Sequence, residues 1–491
     1  MPRAKGESGN GILRYVRERL LGMADSEEGP ARVSLPLGDK KVWVPEPRVP
    51  LQLSLGGDEH YRLHLEPEIL LDVEGRFQRS GAYLLYDPSH FFSSISGFLR
   101  LSPGSSMTLG QREPMQPQLL GYPSSVADRH LRLKLTSAGL ALKNKAPRRG
   151  VSVRPLTDGR SRERLQCWRT RKIEALARLL GAPIAEPSRG AALALLEGVI
   201  EVMEREPNRL AAQDGGPGSV LSLPRGPTPI LVGDLHARID NLLVVLTQNG
   251  FLEALRDGTG LLILMGDAVH PDVPGHQSEM DRSMLLMDLI FRLKLLFPDR
   301  VFYLRGNHDS FADDISKGGV PQGMLWEQSL YDRRGRRYRD AMQRLYDHLP
   351  YIAVSPELVC CHAGAPTMKV SREDLIQAHR KPRLQAQLTR LRLRKTSPLS
   401  GYGPKDVARL RKLLGVAADS AFIVGHTPLS SDATVWLDAG GIKQHVVLFG
   451  AHAEHISVMT RVQGHLLPLT YPVEPLVPVF NRVLSTGRLD H

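Results

Sequence analysis

Apolar and polar residues follow several rhythms in turn along this chain. Alternation at period two runs through Lys41-Val42-Trp43-Val44, Tyr61-Arg62-Leu63-His64-Leu65, Ala82-Tyr83-Leu84-Leu85-Tyr86, Phe98-Leu99-Arg100-Leu101, Ser106-Met107-Thr108-Leu109, Leu131-Arg132-Leu133-Lys134-Leu135 and Leu140-Ala141-Leu142. Such alternation predicts half-buried antiparallel strands, closing into a sandwich or barrel. Between Arg162 and Arg205 the spacing turns helical, with Ile173, Leu176 and Leu180 on one face and Leu193, Leu196, Val199 and Ile200 on another. Asp214-Gly215-Gly216-Pro217-Gly218-Ser219 then reads as linker chemistry. Beyond it, short unbroken apolar runs alternate with helical stretches, the pattern of an α/β unit. A short amphipathic helix over Ile12–Met23 precedes all of this. The expected division is 1–35 helix and linker, 36–158 mostly-β domain, 159–225 helical connector and Gly/Pro linker, 226–478 α/β domain and 479–491 tail.

The chemistry sits where the apolar runs of the α/β part end. Ile230-Leu231-Val232 leads into Gly233-Asp234-Leu235-His236, and Leu261 to Met265 leads into Gly266-Asp267. Val301 to Leu304 leads into Arg305-Gly306-Asn307-His308-Asp309, Leu358 to Cys361 into His362-Ala363-Gly364, and Ala421 to Val424 into Gly425-His426-Thr427-Pro428. Any one of these is ordinary strand-to-loop punctuation. Five in succession, each delivering a metal-competent side chain, predict convergence on one site, as at the carboxyl ends of strands in an open α/β sheet.

Composition narrows the setting. With 491 residues, 42% of them hydrophobic, there is material for more than one core. No apolar stretch is long enough to span a bilayer and no signal-peptide core follows the basic amino terminus, so a cytoplasmic protein without membrane contact is expected. The three cysteines, Cys167, Cys360 and Cys361, exclude an all-cysteine zinc site and suit free thiols. The net charge of +12 is mostly dispersed, so nucleic acid is not expected as a partner. Basic residues are dense only at Arg333-Arg334-Gly335-Arg336-Arg337 and Arg390-Leu391-Arg392-Leu393-Arg394-Lys395. The latter alternation suits a strand as well as part of a helix, and whether it covers the site stays open.

Two aspartates, one asparagine and several histidines suit a pair of divalent transition ions (manganese, iron or zinc) better than calcium or magnesium alone. Two such ions need a bridging carboxylate, for which Asp267 is the candidate, and His308 beside Asn307 is placed to protonate a leaving group. From Pro229 to about Thr470 the chain resembles the calcineurin-like metallophosphoesterases, and Tyr303-Leu304-Arg305-Gly306-Asn307-His308-Asp309 and Val359-Cys360-Cys361-His362-Ala363-Gly364 resemble the phosphoprotein phosphatase branch. The resemblance implies a β-sandwich flanked by helices, with Asp234 and His236 on the first metal, Asp267 bridging, Asn307, His362 and His426 on the second, and His308 as general acid. It implies hydrolysis of phosphoserine or phosphothreonine in a phosphorylated protein substrate by direct attack of metal-bound hydroxide. A nucleotide hydrolase of dinucleoside polyphosphate type and an inactive metal-binding scaffold are the alternatives.

The chain departs from that family where the phosphate is gripped. Gly266-Asp267-Ala268-Val269-His270-Pro271-Asp272 puts His270 where the family orients its general acid with aspartate, and Pro271 where it has an arginine. A second arginine position falls at Ser400-Gly401. Arg238 is a candidate phosphate contact in compensation, or a solvated loop residue; His270 is a candidate ligand or orienting group, or an exposed loop histidine. In the amino-terminal part, Leu109-Gly110-Gln111, Ala127-Asp128-Arg129-His130 and Arg149-Gly150-Val151-Ser152-Val153 resemble a degenerate forkhead-associated domain. That family's phosphate-contacting positions are mostly replaced, and an unrelated β-domain is the other reading. Either would serve as a module for a protein partner or for presenting substrate.

Overall fold

The computed structural model describes residues 35–38, 41–44, 50–56, 61–112, 118–156 and 160–489, and the helix expected over Ile12–Met23 lies outside them. The described chain divides into two compact units, residues 1–171 with 462–465, and residues 172–461 with 466–490.

The amino-terminal unit is a two-sheet β-sandwich. One sheet orders strands Leu35–Pro36, Val151–Pro155, Leu51–Leu55, Tyr61–Leu71, Phe77–Tyr86 and Phe98–Leu101, and the other orders Lys41–Val44, Gly139–Asn144, Leu131–Thr136 and Ser106–Leu109. Every pairing in it among the described residues is antiparallel. Alternation does what the sequence predicts: Leu131, Leu133 and Leu135 point inward against Leu53, Leu63 and Leu85, while Arg132 and Lys134 face water. Full burial of each such leucine stabilises by ~1.5–3 kcal/mol. His130 is buried, accepts a hydrogen bond from the Ala127 N–H at 3.0 Å and reaches the Gly150 carbonyl at 2.9 Å, so it ties together two of the loops on which the forkhead-associated resemblance rests. Gln111 spends its amide on the Pro123 carbonyl at 2.8 Å.

The second unit is a sandwich of two mixed sheets with helices around it. The five-stranded sheet orders Val301–Tyr303, Gly260–Leu264, Thr228–Val232, His455–Val462 and His465–Pro472. The first three of these run parallel. The seven-stranded sheet orders Arg209–Ala211, Pro217–Ser222, Ile352–Ser355, Leu358–Cys361, Ala421–Val424, His445–Leu448 and Val435–Trp436. Leu231, Ile263 and Phe302 of one sheet share a core with Leu221, Cys360, Ile423 and Leu448 of the other. Cys361 faces the opposite way, into the core beneath helices Pro382–Arg390 and Pro404–Leu414, as neighbours on a strand must.

Some sequence expectations need correction. The Gly/Pro stretch 214–219 is no linker: it is the turn of a hairpin, and Pro217–Ser222 pairs with Ile352–Ser355 inside the seven-stranded sheet. Turn residues look the same in a hairpin and a linker. The tail expected over 479–491 begins inside helix Leu476–Thr486, which buries Leu476, Val479, Phe480 and Val483 at helical spacing. Strand ends do converge, but from the two sheets of a sandwich and not from one open sheet. No helix among the described residues is long and apolar enough to cross a membrane.

Candidate metal centre

Asp234, Asp267 and Asn307 follow three neighbouring strands of the five-stranded sheet, and His362 and His426 follow two of the seven-stranded sheet. Several of these residues sit in left-handed backbone that non-glycine residues rarely adopt: His236 at φ 42°, Asp267 at φ 51°, His270 at φ 68° and His426 at φ 64°. Such conformations cost ~1–3 kcal/mol each and persist where surrounding contacts enforce them. The enforcing contacts are visible. The His236 and Leu235 N–H groups both donate to the Asp267 carbonyl, at 2.9 and 3.1 Å, and the Gly425 N–H donates to the His362 carbonyl at 2.7 Å.

The ligating atoms of Asp234, His236 and Asp267 lie within 4.8 Å of one another, as do those of Asp267, His362 and His426. Asp267 belongs to both groups. Its carboxylate is 3.2 Å from His362 Nε2, and all three of Asp234, Asp267 and His362 are buried. Two of the three histidines are turned with their outer nitrogens satisfied: His236 Nδ1 lies 3.1 Å from the His270 carbonyl, and His362 Nδ1 lies 2.8 Å from the Met265 carbonyl. Donation from Nδ1 fixes the ring's orientation and, in the neutral ring, leaves the Nε2 lone pair facing the cluster, the usual support of a metal-bound imidazole.

Asn307 provides an independent test of whether a cation suits the site. Its terminal amide atom on the cluster side lies 3.0 Å from His362 Nε2, 3.1 Å from Asp267 Oδ2, 2.9 Å from His426 Nδ1 and 3.2 Å from the Thr389 carbonyl. As oxygen, that atom faces acceptors only, so several lone pairs are directed at one another. A flipped amide would answer them with its N–H groups; a cation answers the same set with oxygen as ligand. The donors, two carboxylates, an amide oxygen and imidazoles, fit divalent transition ions.

Electrostatics agree. Burial alone would lower His362, but the Asp267 and Asp234 carboxylates outweigh it and draw it up to about 10. The site therefore gathers positive charge between its two carboxylates. Burial raises Asp234, whereas His362 and His308 hold Asp267 well below the usual carboxylate range despite burial.

Around the ligands lies a supporting layer. The His308 N–H donates to Asp267 Oδ1 at 2.8 Å, and Asp309 accepts from the Gly306 N–H at 2.8 Å, the Asp267 N–H at 3.2 Å and the Tyr303 hydroxyl at 2.5 Å. Sequence reasoning missed Asp309 and Tyr303 as parts of the site, although both stand in the quoted Tyr303–Asp309 stretch. His270 is fully buried, not a loop histidine in solvent, and its Nδ1 meets His308 Nδ1 at 2.8 Å. It touches the proton-donor candidate, as an orienting group would. Arg238 caps helix Ile239–Thr247 and faces Asp272 at 3.6 Å with a quarter of its side chain exposed. His452 accepts from the Glu454 and His455 N–H groups of its own turn.

Packing leaves no slack at Asp267. A Cβ added to Gly306 would stand 2.1 Å from Asp267 Oδ1 and 2.6 Å from its nitrogen. Gly306→Ala should therefore push the Asp267 carboxylate aside and weaken metal binding by at least the ~10–100-fold that outer-layer changes cost. Calorimetric titration with manganese checks this; unchanged affinity would mean that the carboxylate is not held by this contact.

Residues 228–452 match the family model for calcineurin-like phosphoesterases. Among curated proteins, the serine/threonine-protein phosphatase rdgC of Drosophila melanogaster is 29% identical over 133 residues, covering 27% of this chain and 18% of the relative. The serine/threonine-protein phosphatase 4 catalytic subunit of Kluyveromyces lactis is 27% identical over 147 residues, covering 28% of this chain and 39% of the relative. The chain thus spans well under two thirds of the curated relatives it matches. Among solved structures, a protein serine/threonine phosphatase from Saccharomyces cerevisiae aligns with 58% of this chain and 90% of its own at 16% identity and a TM-score of 0.44. The chain carries a calcineurin-like phosphoesterase domain over residues 228–452.

Proposed function

We propose that this domain is a metal-dependent phosphomonoesterase that dephosphorylates serine or threonine in proteins, with the amino-terminal sandwich presenting the substrate or contacting a protein partner. The observation that carries the reading is Asp267, the one carboxylate among the described residues that two groups of potential ligands share, with the His308 backbone N–H donating to it. Asp234, His236 and Asp267 would hold one divalent ion, and Asp267, Asn307, His362 and His426 the other. Such a pair, when bound, supplies Lewis-acid polarisation of the phosphoryl group and an acidified water.

The chain's own residues do the rest. Asp309 and Tyr303 hold the Asp267 loop, His236 and His362 are fixed in orientation, and His308 carries the proton for the departing alkoxide. Arg238, two residues on from His236 in sequence and 3.6 Å from Asp272, would be the phosphate contact. The protein substrate is inferred from the relatives' names, since a shared fold does not choose a substrate.

Hydrolysis of para-nitrophenyl phosphate against its bis-ester tests the reading, using full-length protein stripped of metal and reloaded with manganese, zinc or iron. Monoester turnover with two metal equivalents bound is expected. Preference for the diester would move the substrate toward nucleotides, and two bound metals with no turnover on either would leave a scaffold.

A further inference from the structure

Resting on the reading of the amino-terminal sandwich as a module for substrate or partner, we propose that the outer face of its four-stranded sheet docks an acidic protein segment, rich in aspartate and glutamate. Lys41, Arg132, Lys134 and Lys143 supply the charge that recognises it.

The face follows from strand register. Lys41 stands directly opposite Lys143, and Lys143 directly opposite Arg132. Three cations therefore form one row across three neighbouring strands, with Cβ atoms of opposed residues about 4.5–5.5 Å apart. Lys134 stands one row on, opposite Ala141. All four cationic side chains are exposed, and none has a carboxylate partner among the described residues. The strands Lys41–Val44, Ser106–Leu109, Leu131–Thr136 and Gly139–Asn144 contain no aspartate or glutamate at all. Like charges directly opposite one another destabilise a sheet, so folding gives no reason for the row. Lysines that only guard a sheet against pairing with other chains belong on its edges, whereas Arg132, Lys134 and Lys143 lie on the two inner strands. A face kept merely for solubility mixes both signs.

The charge continues past the end of the sheet. Lys134 and Thr136 also line a cleft of about 850 Å³, together with Arg79 and Tyr83 of the six-stranded sheet, and no acidic side chain lines it. Face and cleft thus share Lys134 and one sign of charge. Both are separate from the loops at Gly110, His130 and Gly150 that carry the forkhead-associated resemblance. A nucleic acid fits this face less well, because single strands are held by stacking bases on aromatic side chains. Trp43 is the one aromatic residue of the four strands. The Lys41 ammonium lies over its ring, 5.0 Å from the centroid, and its Nε1 donates to the Ala138 carbonyl at 3.3 Å. Carboxylates need no such platform; a row of exposed ammonium and guanidinium groups suffices.

The test titrates full-length protein into fluorescein-labelled poly-glutamate and, separately, into a labelled oligothymidylate, read by fluorescence anisotropy at low and at physiological salt. The variants are Arg132→Glu alone and Arg132→Glu with Lys134→Glu. Arg383→Glu with Lys412→Glu, at two exposed positions of the second unit, changes the net charge equally and is the control. Poly-glutamate should bind, more weakly as salt rises, and the double reversal on the face should weaken it about tenfold while the control leaves it unaltered. Arg132→Glu should also melt higher than the unaltered protein, because it turns an opposed like-charged pair with Lys143 into an opposite-charged one. Failure of poly-glutamate to bind, or equal weakening in the control, overturns the proposal. So does tighter binding of the oligothymidylate that the double reversal abolishes, which would make the face a nucleic-acid surface. A lower melting temperature in Arg132→Glu would make the row structural and overturn it too. If the metal-loaded protein hydrolyses nothing, the phosphoesterase reading fails, and the anisotropy titration still decides the face.

Discussion

Asp267→Asn is expected to abolish turnover and to reduce binding from two metal equivalents to at most one weak equivalent. Asparagine fills the same space and keeps an oxygen, so the backbone contacts of the Asp267 loop with His236 and Asp309 should survive. What disappears is the negative charge that faces His362 at 3.2 Å and is common to both ligand groups. A neutral amide oxygen cannot bridge two divalent ions, so the loss should far exceed the ~10–100-fold in affinity or activity that follows changes in residues that merely support ligands. The measurement is metal content after dialysis, together with kcat on para-nitrophenyl phosphate and a thermal melt. Full turnover in a folded variant would show that the bridging role belongs elsewhere. An unfolded variant would leave Gly306→Ala, which moves the carboxylate without removing it, to decide the same point.

The site was legible in the sequence to the extent that it is built from strand ends. Asp234, Asp267, Asn307, His362 and His426 each follow an apolar run, and a side chain just past a strand is fixed in space by the strand itself. The amino-terminal strands were legible for a similar reason: a sheet with one face in water writes its period into the chain, as in Leu131 to Leu135. The two-sheet arrangement behind the convergence was not legible from those runs, because buried strands of a sandwich and of an open sheet share the same unbroken apolar signature.

Other features depend on contacts between residues far apart in sequence. Thr389 reaches Asn307 and Arg390 reaches Asp314 only because a helix packs its end against the ligand loops. Nothing in the alternation of Arg390 to Lys395 states which surface it will join. His270 was ambiguous between solvent and site because a histidine after Gly-Asp is equally at home in either. Its burial comes from helix Asp281–Leu296, whose Ser283 hydroxyl accepts the His270 N–H at 3.0 Å, and from Trp326, which faces its ring edge-on at 6.3 Å. Helix Leu476–Thr486 was overlooked although its apolar residues recur at helical spacing, and the boundary expected at 479 cuts through it.

The His270–His308 contact carries the second large expectation. With Nδ1 against Nδ1 at 2.8 Å, one ring must donate and the other accept. For His308 to keep a proton on Nε2 for the leaving group and also donate from Nδ1, His270 must accept as a neutral ring with its own proton on Nε2. That Nε2 is buried and has no hydrogen-bond partner among the described residues. A neutral acceptor steadies the orientation of His308 without contributing the negative charge of a carboxylate. His308→Ala should therefore lower kcat/KM on a phosphoserine peptide by ~10²–10⁴-fold, the usual worth of a general acid, because an alkoxide cannot leave unprotonated. On para-nitrophenyl phosphate, whose phenolate leaves without a proton, the loss should be far smaller, with both metals still bound. His270→Asp should act in the opposite sense, narrowing the gap between peptide and aryl substrates in the otherwise unaltered protein. Equal losses on the two substrates in His308→Ala would remove it from the acid role and leave it as a support for Asp267, to which its backbone N–H donates at 2.8 Å.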